Sequence, residues 1–202
     1  MFYKTSDGHG LPHDPFKALL APRPIGWIST VDTNGVHNLA PYSFFSALSS
    51  NPYMIRFSSE GLKDSVVNAQ ATGEFVYNVA SMDLMHEMNA TSLPVQPNVD
   101  EFELTKLESL PSFLVAPRRV AQAPGAMECR VISCTQLNDL DGKLTNRYIV
   151  VGQVIAIHIR DDLLNHGLFD TVGASLIARC GYQDYSAVER VFQLQRPEVA
   201  KK

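Results

Sequence analysis

Basic residues are scarce in this sequence, and no stretch of the chain concentrates them. The 202 residues include 17 Lys and Arg against 21 Asp and Glu, which gives a net charge of −4. No basic run is longer than the pair Arg118-Arg119. Proteins that bind nucleic acid non-specifically present clustered positive charge to the phosphates. We therefore expect no nucleic-acid partner.

Long apolar runs are also missing. The longest, from Tyr148 to Ile159, is interrupted by Gly152, Gln153 and His158, and a membrane helix needs about 20 apolar residues. The N-terminus has no basic stretch followed by an apolar core, which a secretory signal requires. These features predict no membrane span and a cytoplasmic location.

Motifs for several common chemistries are absent. The 12 glycines never form a Gly-x-Gly-x-x-Gly or Walker pattern, and there is no Gly-x-Ser-x-Gly elbow of a hydrolase. Among the histidines only His9 and His13 have ligand-like spacing, and zinc takes three or four convergent ligands. We expect no metal site and no general acid or base with a recognisable motif.

Cysteine is rare, with three residues in the chain. Cys129 and Cys134 lie five positions apart on one predicted strand, and side chains alternate between the faces of a strand. The spacing therefore predicts that these two thiols lie on opposite faces and do not pair.

What remains is an ordinary globular composition, 45% hydrophobic and 19% charged, which predicts one folded domain over residues 1–202. Asn34-Gly35 between two β-rich segments predicts a type I′ hairpin. Long strands, tight turns and short helices favour a closed or nearly closed antiparallel barrel with helices at its edges. Strands are predicted at 25–32, 36–40, Tyr53–Ser58, Glu74–Ala80, Ala126–Leu137 and Arg147–Arg160, helices at Asp64–Thr72 and Met82–Ala90, and connecting loops at Leu93–Pro124.

Residues 40–52 carry four serine hydroxyl groups and two phenylalanines between two predicted strands. Such a segment can hold a planar ring on its apolar surface and a hydroxylated tail through its donors. The alternative is an ordinary strand end with Phe44, Phe45 and Leu48 in the core and serines at the turn. The residues alone leave both interpretations open.

Lys63-Asp64-Ser65 stands at the start of the first predicted helix, where Asp64 is the expected cap, Val67 and Ala71 the expected apolar face, and Gly73 the expected stop. The start of a helix attracts anions because its first N–H groups have no acceptor and the dipole is positive there. Lys63 and the Ser65 hydroxyl would strengthen such a site. An ordinary capped surface helix with a solvated lysine explains these residues equally well.

On the last long strand, alternation assigns Ile155, Ile157 and Ile159 to one face, which we expect to be the core, and His158 to the other. A histidine on a partly polar face is either solvated, at an interface, or beside a ligand.

Three segments, RPIGWIST at 23–30, NLAPYSFF at 38–45 and KDS at 63–65, are followed in order by GEFVYN at 73–78, MNATS at 88–92, VDEF at 99–102 and VGQV at 151–154. Together these motifs resemble the flavin reductase-like, FMN-binding split-barrel family, in its flavoredoxin-type branch, over about residues 15–190. The resemblance implies a mainly β fold, a six-stranded antiparallel split barrel of Greek-key type with short flanking helices. It also implies a homodimer with FMN near the subunit interface.

The resemblance assigns cofactor-binding positions residue by residue. The isoalloxazine and ribityl tail would be lined by Trp27, Ser29 and Thr30 and by Ser43, Phe44, Phe45, Ser46, Ala47, Leu48 and Ser49. The phosphate would lie at Lys63, Asp64 and Ser65, and the outer face of the flavin near His158, Arg179 and Tyr185. The chain departs from the family at Ser46, where many relatives have Asn, and at Ala178 and Tyr182, which replace glycines. A tyrosine at 182 occupies space where a nicotinamide would stack.

The implied activity is hydride transfer from NAD(P)H to N5 of FMN, with an unknown electron acceptor and no catalytic side chain, because the cofactor supplies the chemistry. Two alternatives remain: an FMN electron carrier that does not oxidise nicotinamide itself, and a dimeric barrel that binds no flavin.

Overall fold

The computed structural model describes residues 1–197. Its helices are α1 (Phe16–Leu19), α2 (Asp64–Thr72), α3 (Met85–Ala90) and α4 (Glu101–Thr105), with 3₁₀ turns at Thr5–Asp7, Met82–Leu84 and Asp161–Leu163. Its strands are β1 (Arg23–Pro24), β2 (Gly26–Val31), β3 (His37–Tyr42), β4 (Phe45–Ser50), β5 (Tyr53–Glu60), β6 (Glu74–Val79), β7 (Ser109–Leu110), β8 (Arg119–Val120), β9 (Gly125–Asn138), β10 (Leu144–Ile159), β11 (Leu164–Asn165), β12 (Leu168–Phe169), β13 (Ile177–Arg179) and β14 (Tyr185–Ala187). Within residues 1–197, no helix has the length and apolarity to cross a membrane.

Seven strands form one antiparallel sheet in the order β3-β2-β6-β9-β10-β5-β4. The two edge strands, β3 and β4, follow each other in the chain, and only Ser43 and Phe44 connect them. The sheet therefore curls until its edges approach, and the Ser58 N–H donates to the Phe44 carbonyl at 2.8 Å near the seam. The result is the expected split barrel, with seven strands instead of six because β4 pairs with β5 as an additional edge strand.

Two large apolar clusters and a small third one, Val76, Val115 and Ala126, pack against the sheet. The cluster inside the barrel contains Ile28, Phe57, Phe75, Val66 and Val150, all with no exposed surface. A second cluster lies outside β2 and is covered by α3, α4 and β8. All six residues of β2 are consequently buried, and its side chains have no access to solvent from either face.

Helix α2 has the predicted bounds, and Gly73 ends it with φ of 73° and an N–H bond to the Ala69 carbonyl at 3.1 Å. The predicted cap and apolar face are wrong. Lys63 is the N-cap residue, and no side chain makes a cap hydrogen bond. The helix buries Val66 and Ala69 in the barrel, while Val67 is 45% exposed.

The hairpin at Asn34-Gly35 is present, but its turn is not type I′. Gly35 has φ of 88°, whereas Asn34 is not in the positive-φ region. The Gly35 N–H donates to the Asp32 carbonyl at 3.3 Å, and the Asp32 N–H donates to the Val36 carbonyl at 2.9 Å. This is a type I turn followed by a glycine bulge, a common three-residue hairpin loop.

Irregularities in the β9–β10 pairing overturn two expectations from strict alternation. The register shifts between the Val151 and Gly152 pairs, and Cys134 consequently packs on the same interior cluster as Cys129. Past a second shift between Val154 and Ala156, Ile157 is 48% exposed and Ile159 43% exposed, and of the three isoleucines only Ile155 packs against a buried cluster. The isoleucine face is therefore not the core. All three cysteines are free.

The segment Leu93–Pro124, predicted as loops, contains α4 and the short β7–β8 pair. Asp100 caps α4 by accepting a bond from the Phe102 N–H at 2.8 Å. The sequence does contain a signal for this helix, an Asp followed by an acidic and apolar turn, but the signal covers only a few residues.

Gly152→Ala tests the packing inside the barrel. A Cβ at residue 152 would lie 2.4 Å from Cε1 of Phe75, whose ring is fully buried. Overpacking of this kind costs about 1–3 kcal/mol, and we expect that loss in the free energy of unfolding measured with urea. Gln153→Ala, at the adjacent exposed position, is the control and should change stability by less than about 0.5 kcal/mol. Equal stability of the two variants would contradict the packing described.

Candidate functional site

A cleft of about 1000 Å³ opens at the seam of the barrel, between the edge strand β3, strand β5 and the start of α2. This volume is at the upper end of the range of ~300–1000 Å³ found for sites that hold one small molecule. The lining residues are Asp14, Phe16, Lys17, Asn38, Ala40, Pro41, Tyr42, Ser43, Phe44, Arg56, Ser58, Ser59, Glu60, Lys63, Asp64, Ser65, Thr91, Ser92, Leu93, Pro94, Val95, Glu101, Leu137, Arg147 and Ile149.

The inner end of the cleft is a network of buried polar side chains. The Asn38 side-chain nitrogen donates to both carboxylate oxygens of Glu101, at 3.0 and 3.1 Å. The Leu39 N–H donates to the same carboxylate at 2.9 Å. Glu101 is 3% exposed, and burial raises its pKa although these hydrogen bonds oppose the rise. The network thus holds a carboxyl group in a place where ionisation is costly.

The direction of these bonds determines what Ser65 offers to a ligand. Because the Asn38 nitrogen faces Glu101, its carbonyl oxygen faces Ser65 and accepts the Ser65 hydroxyl proton at 2.7 Å. A serine hydroxyl has a single proton, and this one is directed into the protein. The Ser65 hydroxyl therefore presents only lone pairs to the cleft, contrary to the expectation that it donates to an anion.

The start of α2 supplies other donors. The amides of Asp64 and Ser65 stand in the first turn, where no acceptor exists within the helix, and both residues line the cleft. Lys63 is exposed beside them. Burial raises the pKa of Asp64, whose carboxyl group lies beside these donors. Two amides and one ammonium group therefore form a cationic end of the cleft.

The outer end of the cleft lies on the exterior face of the sheet. Along β5, Ile55, Phe57 and Ser59 are buried, while Arg56 and Ser58 between them are half-buried and face outward. The paired strand β10 places Ile149 opposite Ser58 and Arg147 opposite Glu60. Arg147 and Glu60 form an ion pair at 2.8 Å.

The cleft brings together five of the residues predicted from sequence, namely Ser43, Phe44, Lys63, Asp64 and Ser65. Phe44 is 44% exposed, so the alternative in which it belongs to the core is wrong. Leu48 is 49% exposed and is not in the core either. Phe45 does pack against the core, with its ring 4.5 Å from that of Tyr77.

Trp27, Ser29 and Thr30 do not line the cleft. All three are fully buried, and their side chains bond to protein groups: Trp27 Nε1 donates to Thr91 Oγ1 at 2.9 Å, and the Ser29 hydroxyl donates to the Arg118 carbonyl at 2.5 Å. The physical reason is the second apolar layer outside β2. These side chains support the site from beneath.

The remaining positions of the edge strand point away from the cleft lining. Ser46 Oγ accepts a bond from Arg56 Nε at 3.1 Å, and Ser49 Oγ accepts from the Asn51 N–H at 3.1 Å. Ala47 and Leu48 are exposed on the same strand. Among these residues, Ser46 influences the cleft through Arg56.

His158 lies apart from the cleft, on β10. Its Nε2 is 2.6 Å from Oε1 of Glu128, and its ring makes an edge contact with Phe113. Glu128 also accepts from the amides of Phe113 and Leu114, at 2.8 and 2.6 Å. Burial acts to raise the pKa of Glu128, but these hydrogen bonds and His158 together lower it. In the single chain this pair anchors the loop that carries Phe113.

Arg179 and Tyr185 stack on each other at the β13–β14 hairpin, with the guanidinium carbon 4.4 Å from the ring centre. Arg179 also donates to the Tyr182 carbonyl at 2.6 Å. Tyr182 has φ of 54°, a conformation that favours glycine, and this agrees with its replacing a glycine of the resembled block. None of the three residues lines the cleft.

Sequence reasoning missed Arg56, Asn38, Tyr42 and Glu101 as cleft residues. Arg56 had a signal, since it is the one charged residue inside the otherwise uncharged run Tyr53–Ser59. Glu101 lies in the VDEF motif at 99–102, but the sequence does not link it to Asn38, because α4 lies far along the chain and only the fold brings them together. Burial raises the pKa of Tyr42.

Comparison with known proteins identifies the class. The model of the flavin reductase like domain matches residues 19–174, and the chain therefore belongs to the flavin reductase-like family. The structure resembles nitrilotriacetate monooxygenase component B from Bacillus cereus, with a TM-score of 0.86 and 27% identity, covering 96% of this chain and 98% of that one.

Two further structures share the fold at lower identity. Flavoredoxin of Desulfovibrio vulgaris is 18% identical with a TM-score of 0.74, covering 98% of each chain. The FMN-binding protein from Thermus thermophilus is 15% identical with a TM-score of 0.76, covering 96% of this chain and 99% of that one. The predicted fold class and family are confirmed.

Glu101→Gln tests the buried carboxyl group through pH. Because the folded-state pKa of Glu101 is raised above 4.5, the folded chain binds more protons than the unfolded chain between 4.5 and that raised pKa. The contribution of Glu101 to the free energy of unfolding therefore falls as pH rises through this window. We expect urea unfolding to show the parent losing stability relative to the variant over that range. Glu103→Gln, at an exposed position on the same helix, is the control. A constant difference in the free energy of unfolding between Glu101→Gln and the parent across this pH range would contradict the burial of an ionisable group at residue 101.

Proposed function

We propose that this protein is an FMN-dependent oxidoreductase that transfers hydride from NAD(P)H to N5 of FMN held in the seam cleft. The observation that carries the proposal is the combination, in one cleft, of a cationic helix start, a row of hydroxyl groups and an exposed aromatic ring. Family membership and the FMN-binding protein among the structural neighbours support a flavin as the cofactor. Bound FMN would supply the redox chemistry.

The residues fit the three parts of FMN. The amides of Asp64 and Ser65 with Lys63 would hold the phosphate, since helix starts bind anions through free N–H groups. Ser43 would face the ribityl hydroxyls. Phe44, half-exposed at the seam, offers apolar surface to the isoalloxazine ring. The chain's own part is to bind and orient, and none of these steps requires a proton-transferring side chain.

The homodimer remains a proposal. Ile157 and Ile159 on β10 are 48% and 43% exposed, and Phe113 is 75% exposed. These are apolar side chains that a second copy would cover.

A flavin electron carrier is the second candidate, and Tyr182 favours it. The side chain is 54% exposed beside His13, with ring centres 5.8 Å apart. In the resembled block a glycine leaves this space open for a nicotinamide. A carrier would exchange electrons with a partner without oxidising NAD(P)H itself.

Anaerobic addition of NADH or NADPH to the FMN-loaded protein distinguishes the two functions. We expect the flavin absorbance to bleach with at least one donor, because the proposed reaction reduces FMN directly. An unchanged spectrum with both donors, in a protein whose flavin still bleaches with dithionite, would contradict the reductase and support the carrier.

Lys63→Ala tests the phosphate end. Removing a charge-assisted contact should weaken FMN binding by about 1.5–3 kcal/mol, whereas riboflavin, which lacks the phosphate, should bind almost as before. The affinities of both flavins are measured by fluorescence quenching. Lys143→Ala, in the exposed β9–β10 turn, is the control for loss of a lysine.

A general loss of folding would weaken both flavins together and is therefore recognisable. The phosphate assignment is wrong if Lys63→Ala keeps the parent's ratio of FMN to riboflavin affinity.

A further inference from the structure

The exterior part of the cleft contains a cation without a counter-ion. Arg56 lies in the middle of β5, half-buried, and only its Nε has a protein acceptor within residues 1–197, the Ser46 hydroxyl at 3.1 Å. It forms no ion pair with any carboxylate in that range. Partial burial of an unpaired charge is costly, and the two terminal nitrogens of the guanidinium are free to bind a ligand.

The surroundings of Arg56 do not neutralise it. The nearest exterior carboxylate on β5 is Glu60, which is already paired with Arg147 at 2.8 Å. The buried carboxyl Glu101 belongs to the inner network. Lys17 adds a further positive group at the mouth of the cleft. Asp14 and Asp64 also line the cleft, but no carboxylate within residues 1–197 forms an ion pair with Arg56.

The surface around Arg56 also has a hydroxyl group and apolar side chains. Ser58 stands two residues along β5 from Arg56 and faces the same side, with Ile149 opposite it on β10. Leu137 lines the cleft next to these residues. A guanidinium fork, a hydroxyl group and an apolar floor together suit an organic molecule that carries a carboxylate or phosphate group, because Arg binds both in a two-pronged geometry.

We propose that Arg56 and this exterior surface bind the oxyanion group of the second substrate, the molecule that exchanges electrons with the flavin. The inference rests on the proposed function, since FMN with its phosphate at Lys63 would leave the exterior part of the same cleft open. A ligand held there lies beside the flavin. The oxyanion is either the carboxylate of a small organic acid or a phosphate of the nicotinamide dinucleotide.

Calorimetric titration of the FMN-loaded protein tests this assignment with matched probes. Benzoate is compared with neutral benzamide, and ADP with neutral adenosine. We expect at least one anion to bind about tenfold or more tightly than its neutral counterpart, benzoate identifying a carboxylate source and ADP a dinucleotide source. Arg56→Gln should abolish the preference, and Arg56→Lys should retain part of it. Arg130→Gln, an exposed strand position outside the cleft, should leave it intact.

Three results would overturn the assignment. The parent shows no preference for either anion, or Arg56→Gln keeps the preference, or Arg56→Gln lowers the affinity for FMN relative to riboflavin, which would place the flavin phosphate at Arg56. Absence of flavin binding in the parent contradicts the proposed function instead, so the two failures are distinguishable.

Discussion

The seam of the barrel is the constraint on which the rest of the structure depends. Strands β3 and β4 are consecutive in the chain and joined by two residues, Ser43 and Phe44, yet they lie at opposite ends of the sheet order and do not pair with each other. Edge strands leave backbone groups without partners, and such groups must find other acceptors and donors or face solvent. The Phe44 carbonyl accepts a hydrogen bond from the Ser58 amide, and the Leu39 amide donates one to the Glu101 carboxylate.

The polar floor of the cleft follows from that constraint. Glu101 on α4 accepts a hydrogen bond from the Asn38 side chain on the edge strand β3. This bond orients the Asn38 amide so that its oxygen accepts the Ser65 hydroxyl proton at the start of α2. The Thr30 hydroxyl and Asn68 extend the network beneath the cleft, with Asn68 donating to Thr30 at 3.2 Å. A connected set of buried hydrogen bonds resists rearrangement, so the helix start and its free amides are held in a defined position at the seam.

Local features of the fold were predictable because they depend on neighbours in sequence. The bounds of α2, its glycine stop and the Asn34-Gly35 hairpin all follow from residues a few positions apart. Alternation assigned Ile157 to the core, but this end of β10 is exposed. Bulges interrupt both β9 and β10, and the one in β9 places Cys134 on the same side as Cys129, against strict alternation. No local signal marks these bulges.

The candidate site was predictable only in part for a related reason. Motif resemblance pointed to Lys63, Ser43 and Phe44, which the fold places at one cleft, and their roles toward a ligand remain predictions. It also assigned Trp27, Ser29 and Thr30 to the lining, because a motif does not reveal that a second layer buries both faces of β2. Glu101 and Arg56 became visible only when the fold placed them beside the seam.

A crystal structure of the complex with FMN is the measurement that tests the central claim most directly. The account predicts the phosphate within hydrogen-bond distance of the Asp64 and Ser65 amides and the Lys63 ammonium group, with the exterior surface around Arg56 left open. A phosphate bound at Arg56, or a flavin bound outside the seam cleft, would contradict it.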